Sequence, residues 1–160
     1  MTGDFNALMG ALDYPMFIVT VARGEERAGC LLGFATHASI DPPRFLACLS
    51  KRNRTYRLAR EADALAVHLV PETATGLAEL FGGETGDELD KFARCEWRPG
   101  PRGLPLLQQC ENRFCAEVVE TYDVGDHVAF LLEPFEVEKA SSQTQLPFER
   151  AKRIEPGHEA

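Results

Sequence analysis

Six of the chain's 17 basic residues, Arg44, Lys51, Arg52, Arg54, Arg57 and Arg60, fall in a stretch between Asp41 and Glu61 that holds no acidic residue. Cations at that density suit a phosphate-sized anion; a solvated basic helix face accounts for the same pattern. Within the stretch, Asn53 stands where a helix can begin. The unpaired N–H groups and positive dipole end at Arg54 and Thr55 would then form an anion site, with Lys51 and Arg52 beside it. Each hydrogen bond to a charged phosphate contributes on the order of 1.5–3 kcal/mol. The competing reading is that Asn53 and Thr55 only cap the helix. Farther along, Gly125-Asp126-His127 sets a histidine at a turn into an apolar run. With a reference pKa of about 6.5, an imidazole donates, accepts or carries charge near neutrality. That suits positioning a ligand or balancing negative charge, against a surface or packing histidine. Cys48 is a possible reactive thiol, but a small buried hydrophobe is the better reading.

Composition narrows the partners. A chain of 160 residues, 44% hydrophobic and 26% charged, has the proportions of one globular domain with a real core. A net charge of −8 argues against a general nucleic-acid binder, since such proteins draw affinity from basic patches on phosphates. Cys30, Cys48, Cys95, Cys110 and Cys115 form an odd set without a C-x-x-C pair, which argues against a disulfide scaffold or a metal site. No basic-then-apolar leader opens the sequence and no apolar run approaches the roughly 20 residues that span a bilayer. A cytoplasmic, reduced protein without a membrane segment is expected. Dinucleotide-binding G-x-G-x-x-G, Walker, H-E-x-x-H and G-x-S-x-G signatures are absent.

The elements that must position these residues read mostly as strands. Apolar residues at helical spacing over Phe5 to Leu12 predict a short packing helix. Met16 to Ala22 and Arg27 to Thr36 predict a hairpin around Arg23-Gly24-Glu25-Glu26. Arg44 to Ser50 is a third strand, bounded by Pro42-Pro43. A helix over Asn53 to Asp63, a strand over Ala64 to Val70 and a helix from Pro71-Glu72-Thr73 through Leu80 follow. Phe81-Gly82-Gly83 ends that helix. An acidic loop over Glu84 to Glu88 leads to a helical turn at Leu89 to Arg94, and Pro99 to Gly103 marks a loop before Leu104 to Leu107. Phe114 to Thr121 and Val128 to Lys139 are long strands joined by the turn-forming Tyr122 to Asp126. Many strands with short helices favour a closed or nearly closed β-barrel, which removes unpaired edges. The polar tail, residues 140–160, reads either as an arm over a partner subunit or as a poorly ordered terminus.

Gly29 to Pro43, GCLLGFATHASIDPP, is a small-residue, hydroxyl-bearing strand and turn stopped by Asp-Pro-Pro. Together with Leu77-Ala78-Glu79-Leu80-Phe81, Asp90-Lys91-Phe92 and Gly125-Asp126-His127, in this order and spacing, it resembles the flavin reductase family. The resemblance covers roughly Pro15 to Lys139. It implies a mainly β fold, an FMN-binding split β-barrel of Greek-key type with short helices, as one domain over residues 1–160. It also implies that Leu31, Leu32, Gly33, Phe34, Thr36 and Ser39 border the flavin ring and ribityl chain. Cys48, Leu49, Ser50, Asn53, Arg54 and Thr55 fall to the ring and phosphate sites, Lys91 to the phosphate and Phe92 to the ring edge. Leu89, Phe92 and Trp97 read equally as a hydrophobic cluster. The family's histidine near flavin and nicotinamide corresponds to His127. One departure stands out: a polar run, commonly Thr-Ala-Asn-Ser, is here Leu31-Leu32-Gly33-Phe34, so backbone groups would have to replace side-chain hydrogen bonds to the ring.

The resemblance further implies a homodimer with flavin, FMN or the larger FAD, at the subunit interface. NADH or NADPH would donate hydride, and a monooxygenase is a possible partner that receives reduced flavin. A non-catalytic barrel that binds flavin or another flat cofactor is the alternative, and a small interaction domain with an empty pocket is a third. Of the other histidines, His37 takes a place where the family often has a hydroxyl, His68 suits a satisfied core position, and His158 a solvated one.

Overall fold

Alternation along the first strands places every second side chain on one face, and that face closes on itself. The computed structural model describes residues 1–83, 90–140 and 142–154. A helix, α1 (Thr2–Gly10), precedes the hairpin of β1 (Phe17–Arg23) and β2 (Glu26–Leu32). Their register sets Phe17 opposite Leu32, Val19 opposite Cys30 and Val21 opposite Ala28, and all six are buried in one core. Next come β3 (Ala35–Ser39), β4 (Arg44–Ser50), α2 (Arg54–Ala59), β5 (Ala64–Leu69) and α3 (Thr75–Gly83). Then follow β6 (Trp97–Pro99), β7 (Pro105–Leu107), β8 (Arg113–Asp123), β9 (His127–Glu138) and α4 (Phe148–Ala151).

Seven strands form one antiparallel sheet in the order β2-β1-β5-β8-β9-β4-β3, with β6 and β7 as a separate ribbon. Inward residues from six of them, among them Val19, Cys30, Ala47, Leu65, Ala116 and Phe130, share a single interior. The two outermost strands, β2 and β3, are consecutive in the chain, and the Cys48 N–H donates to the Phe34 carbonyl at 2.8 Å, which extends the β3–β4 ladder up to the break between them. The mainly β split barrel expected from the sequence is the observed architecture.

The single strand expected over Arg27 to Thr36 is in fact two. Gly33 lies against Tyr14, where a Cβ would collide with the ring, and the Ala35 N–H turns back to the Gly33 carbonyl at 2.9 Å. The chain thus leaves one end of the sheet and starts the other. A second core forms outside the barrel, where α3 covers the outer side of β2: Ile18, Leu77, Ala78, Phe81, Phe92 and Leu146 are buried together. Gly29 permits this, since a Cβ there would meet the Phe81 ring at 2.7 Å.

Two further expectations change, for one shared reason. The helix expected to open at Pro71 opens at Thr75, because Pro71 bridges to Gln145 and the Glu72 N–H donates to the Thr144 carbonyl at 2.8 Å. The described part of the tail, expected either as an arm over a partner subunit or as a poorly ordered terminus, therefore packs on its own chain. Leu146 is buried, its N–H donates to the Val70 carbonyl, and Phe148 stacks on Tyr14 with centroids 4.6 Å apart. By contrast, no residue of α1 is buried, so the packing expected of that helix is not made within this chain. Of the expected features, the acidic loop Glu84 to Glu88, Leu89 and His158 lie outside the described residues.

His68 is a satisfied core residue. The Leu107 N–H donates to Nε2 at 3.0 Å, so Nδ1 carries the ring hydrogen and donates to the Ile18 carbonyl, also at 3.0 Å. One neutral imidazole thereby ties β5 to β1 and β7.

Candidate functional site

Strand register brings the separate chemical signals onto one outer face. Ser50 sits opposite His127, Cys48 opposite Ala129 and Leu46 opposite Leu131 in the pairing of β4 with β9, while Thr36 lies opposite Leu46 in the pairing with β3. Directly opposed residues share a face. At the seam Phe34 is 57% exposed, and its ring lies 5.1 Å from the imidazole of His127, tilted by 45°. Residues 93 positions apart in sequence thus form one aromatic corner, flanked by the half-buried Cys48, the buried Ser50 and the exposed Thr36.

Polar groups fix this corner. His127 Nδ1–H donates to Asp126 Oδ1 at 2.7 Å, and with Nδ1 held, Nε2 is the nitrogen presented to a ligand. The hydrogen bond from His127 keeps the Asp126 carboxyl below its ordinary range. Lys51 donates to Asp123 at 2.9 Å, and that bond, helped by the Gly125 N–H, likewise holds Asp123 low. The Lys51 N–H donates to the Asp126 carbonyl at 3.0 Å, so the turn after β4 and the turn before β9 support each other. Asp126 and Asp123 as holders of His127 and Lys51 were not read from the sequence. Adjacency of Asp and His was the available signal for the first; the second needs the 72-residue contact of the folded chain.

The start of α2 is arranged differently from a bare anion site. Asn53 Oδ1 accepts the Thr55 N–H at 2.9 Å, which occupies one of the two N–H groups assigned to a phosphate. Thr55 is 1% exposed. Arg54 turns to the β1–β2 hairpin, donating to the Arg27 carbonyl at 2.6 Å and pairing with Glu26. Facing solvent near the corner are the Ser50 to Asn53 turn, closed by the Arg52 N–H on Ser50 Oγ at 3.3 Å, and the exposed side chain of Arg52.

Strand alternation splits the other predicted residues. Leu32 and Leu49 point into the barrel core; Leu31 packs toward the second core; Gly33 meets Tyr14. Thr36 Oγ1 donates to the His37 carbonyl, and the Ser39 carbonyl accepts from His37 Nε2 at 2.9 Å. Lys91 and Phe92 belong to a separate group beneath α3. Lys91 is 5% exposed and donates to the Gly29 and Phe81 carbonyls at 3.2 and 3.1 Å. Phe92 packs edge-on to Phe81 and Trp97, 5.6 Å from each, the hydrophobic cluster that was the alternative reading. All five cysteines are free thiols; burial pushes Cys48 upward and Cys110 to about 12.

The fold is thus an antiparallel split barrel with an exposed aromatic and a held imidazole on its outer face. Residues 9–153 match the family model described as "Flavin reductase like domain". The chain belongs to that family. It is 31% identical over 117 residues to a "Probable flavin reductase" of Rhizobium meliloti (strain 1021), covering 71% of this chain and 37% of the relative. It is 30% identical over 114 residues to "Stachydrine N-demethylase reductase subunit Stc3" of the same organism, covering 69% and 48%. The chain thus spans less than half the length of these two curated relatives. Among solved structures, the Streptomyces globisporus C-1027 NADH:FAD oxidoreductase SgcE6 superposes with a TM-score of 0.84 at 21% identity, over 98% of this chain and 90% of that one. Among the described residues no helix is long and apolar enough to cross a membrane.

Proposed function

We propose that this chain is an NAD(P)H-dependent flavin reductase that uses the Phe34–His127 face to hold FMN, with FAD as the larger alternative. The observation that carries the reading is the meeting of Phe34, Cys48, Ser50 and His127 on one outer face, in a chain of the flavin reductase family. The residues fit such a cofactor: an exposed aromatic ring for an apolar wall, an imidazole with one nitrogen presented, and the basic side chains of Lys51 and Arg52 in the turn beside them.

Bound flavin supplies the hydride chemistry, accepting from NADH or NADPH. The protein's own residues do the rest. Phe34 shields one side of the ring from water. His127, aimed by Asp126, donates at Nε2 to the nicotinamide or balances negative charge, without breaking a bond itself. The Arg52 side chain, with Lys51 beside it, meets the phosphate, while Asp123 offsets part of the Lys51 charge. Leu32 and Leu49 act by shaping the strands from within the core, and Thr55 by seating the first turn of α2. Thr36, Ser39 and Asn53 complete the proposed cofactor region, while Leu31, Gly33, Arg54, Lys91 and Phe92, which pack away from that face, act by holding the strands that carry it.

We place the working site in a homodimer, in keeping with the apolar side chains left exposed at Phe5, Leu8, Leu12, Phe34, Ile40 and Val124. A relative that is the reductase subunit of an N-demethylase supports passing reduced flavin to a partner monooxygenase. A reducing cytoplasm fits five free thiols. The second reading, a flavin carrier without turnover, draws on the apolar side chains of half-buried Leu31 and buried Leu32, which offer the ring no side-chain donor. Steady-state NADH and NADPH oxidation with and without added FMN separates the two. Flavin-dependent consumption of either donor is expected; bound FMN with both left unconsumed would establish the carrier.

A further inference from the structure

We propose a second ligand site at the opposite end of the barrel from the flavin face, built for a small phenol. A cavity of about 440 Å³ opens where the beginnings of β1, β4 and β8 meet the end of β9 and the tail. That volume lies within the range of small-molecule sites, roughly 300–1,000 Å³. Phe17, Phe45 and Phe114 line it, with Phe45 edge-on to each of the other two at 72° and centroid distances of 5.3 Å. Such a set offers both ring faces and ring edges to a planar guest.

Its polar lining is incomplete in a specific way. The side-chain oxygens Oε1 of Gln143 and Gln145 are buried without a hydrogen-bond partner, and so is Nε of Arg113. All three residues line this cavity. The Arg113 side chain is 9% exposed, and its other guanidinium nitrogens are committed to the Leu107 and Cys110 carbonyls and to Glu138 at 2.7 Å. None of the three atoms has surface open to solvent, so a guest reaches them as the lining side chains turn; a hydroxyl on an aromatic ring then satisfies one of them, its O–H donating to a glutamine oxygen or its oxygen accepting from Arg113 Nε–H. An unmet buried polar atom is costly enough that such pairing discriminates between otherwise similar guests.

The site is distinct from the flavin face. Phe45 stands near the start of β4 and Ser50 at its end, about 16 Å apart at the usual rise of a strand; Phe45 packs against the barrel core while Thr36, which β3 brings to the same end, is exposed on the outer face, and none of the cavity's residues was assigned to the cofactor.

The test is calorimetric titration of the full-length chain with p-cresol and with toluene, paired with amide and side-chain NMR shifts. Saturable p-cresol binding is expected, with toluene at least about tenfold weaker and the shifts centred on Phe45, Phe114, Gln143 and Gln145. Gln145→Leu should narrow the difference between the two ligands, and Leu69→Trp, which fills the cavity from its wall, should abolish both. Absence of saturable binding, equal affinity for both ligands, or shifts centred on Phe34 and His127 would each overturn the proposal. Should Leu69→Trp not fold, the Gln145→Leu comparison and the shift map decide it.

Discussion

His127 is the residue on which the chemistry of the proposed site turns, because Asp126 fixes which nitrogen it presents. His127→Ala should slow flavin reduction by NADH about tenfold, equivalent to about 1.4 kcal/mol in the barrier, as read by stopped-flow absorbance. An unchanged rate together with unchanged FMN binding would remove it from the site. Cys48 supplies an independent probe of the same face. Its thiol is half-buried and its pKa is raised by burial, so alkylation at mildly alkaline pH is slow, and bound FMN should slow it further. Cys95, half-buried elsewhere with a thiol pushed to about 11, should be indifferent to FMN; equal protection of both, followed by mass spectrometry, would argue against the assigned face. His127 was legible as a candidate in the sequence because its type carries chemistry, whereas Ser50 entered through the family resemblance and Cys48 read better as a small buried hydrophobe. The burial of Thr55 and the diversion of Arg54 to Glu26 were not, since both depend on where β2 lies beside α2.

At the level of elements, the split between β2 and β3 places Phe34 at the seam, and Gly33 makes the split possible. In Gly33→Ala the added methyl would collide with Tyr14, whose ring is itself held by Phe148. A loss of about 1–3 kcal/mol is expected from such overpacking, measured as a lower denaturant midpoint, with weaker FMN binding because Phe34 moves. The strands themselves were readable from β-branched and aromatic runs, and β4 begins and ends where its sequence predicts. The break at Gly33 was not readable, because an apolar run gives no sign of which sheet edge it joins. His68 ties three strands in its neutral form, and burial, with Arg113 adding to it, lowers its pKa to about 4. The native state therefore resists a proton that the unfolded chain accepts near 6.5. Stability should be full above about pH 6.5 and should fall as pH drops toward 4, by on the order of 3 kcal/mol. Urea midpoints across that window check it, and His68→Gln should flatten the slope. A slope unchanged by the substitution would assign the pH dependence to other groups.

For the whole molecule, the family match over residues 9–153 agrees with a tail that folds back through Leu146 and Phe148 and does not end the domain near Lys139. That return was hidden in the sequence by the polar residues around one buried leucine. The exposed apolar side chains of α1 and of the Phe34 face are the surface that a second copy would cover. Sedimentation equilibrium should give a dimer mass, and dilution to monomer should release flavin; a monomer that keeps full flavin affinity would contradict the interface placement. The most direct measurement is the visible absorption spectrum of the purified protein titrated with FMN under air-free conditions and then mixed with NADH. Flavin bands that shift on binding and then bleach are the predicted result, and a protein that leaves the FMN spectrum unaltered and its reduction by NADH no faster than in buffer would contradict the account.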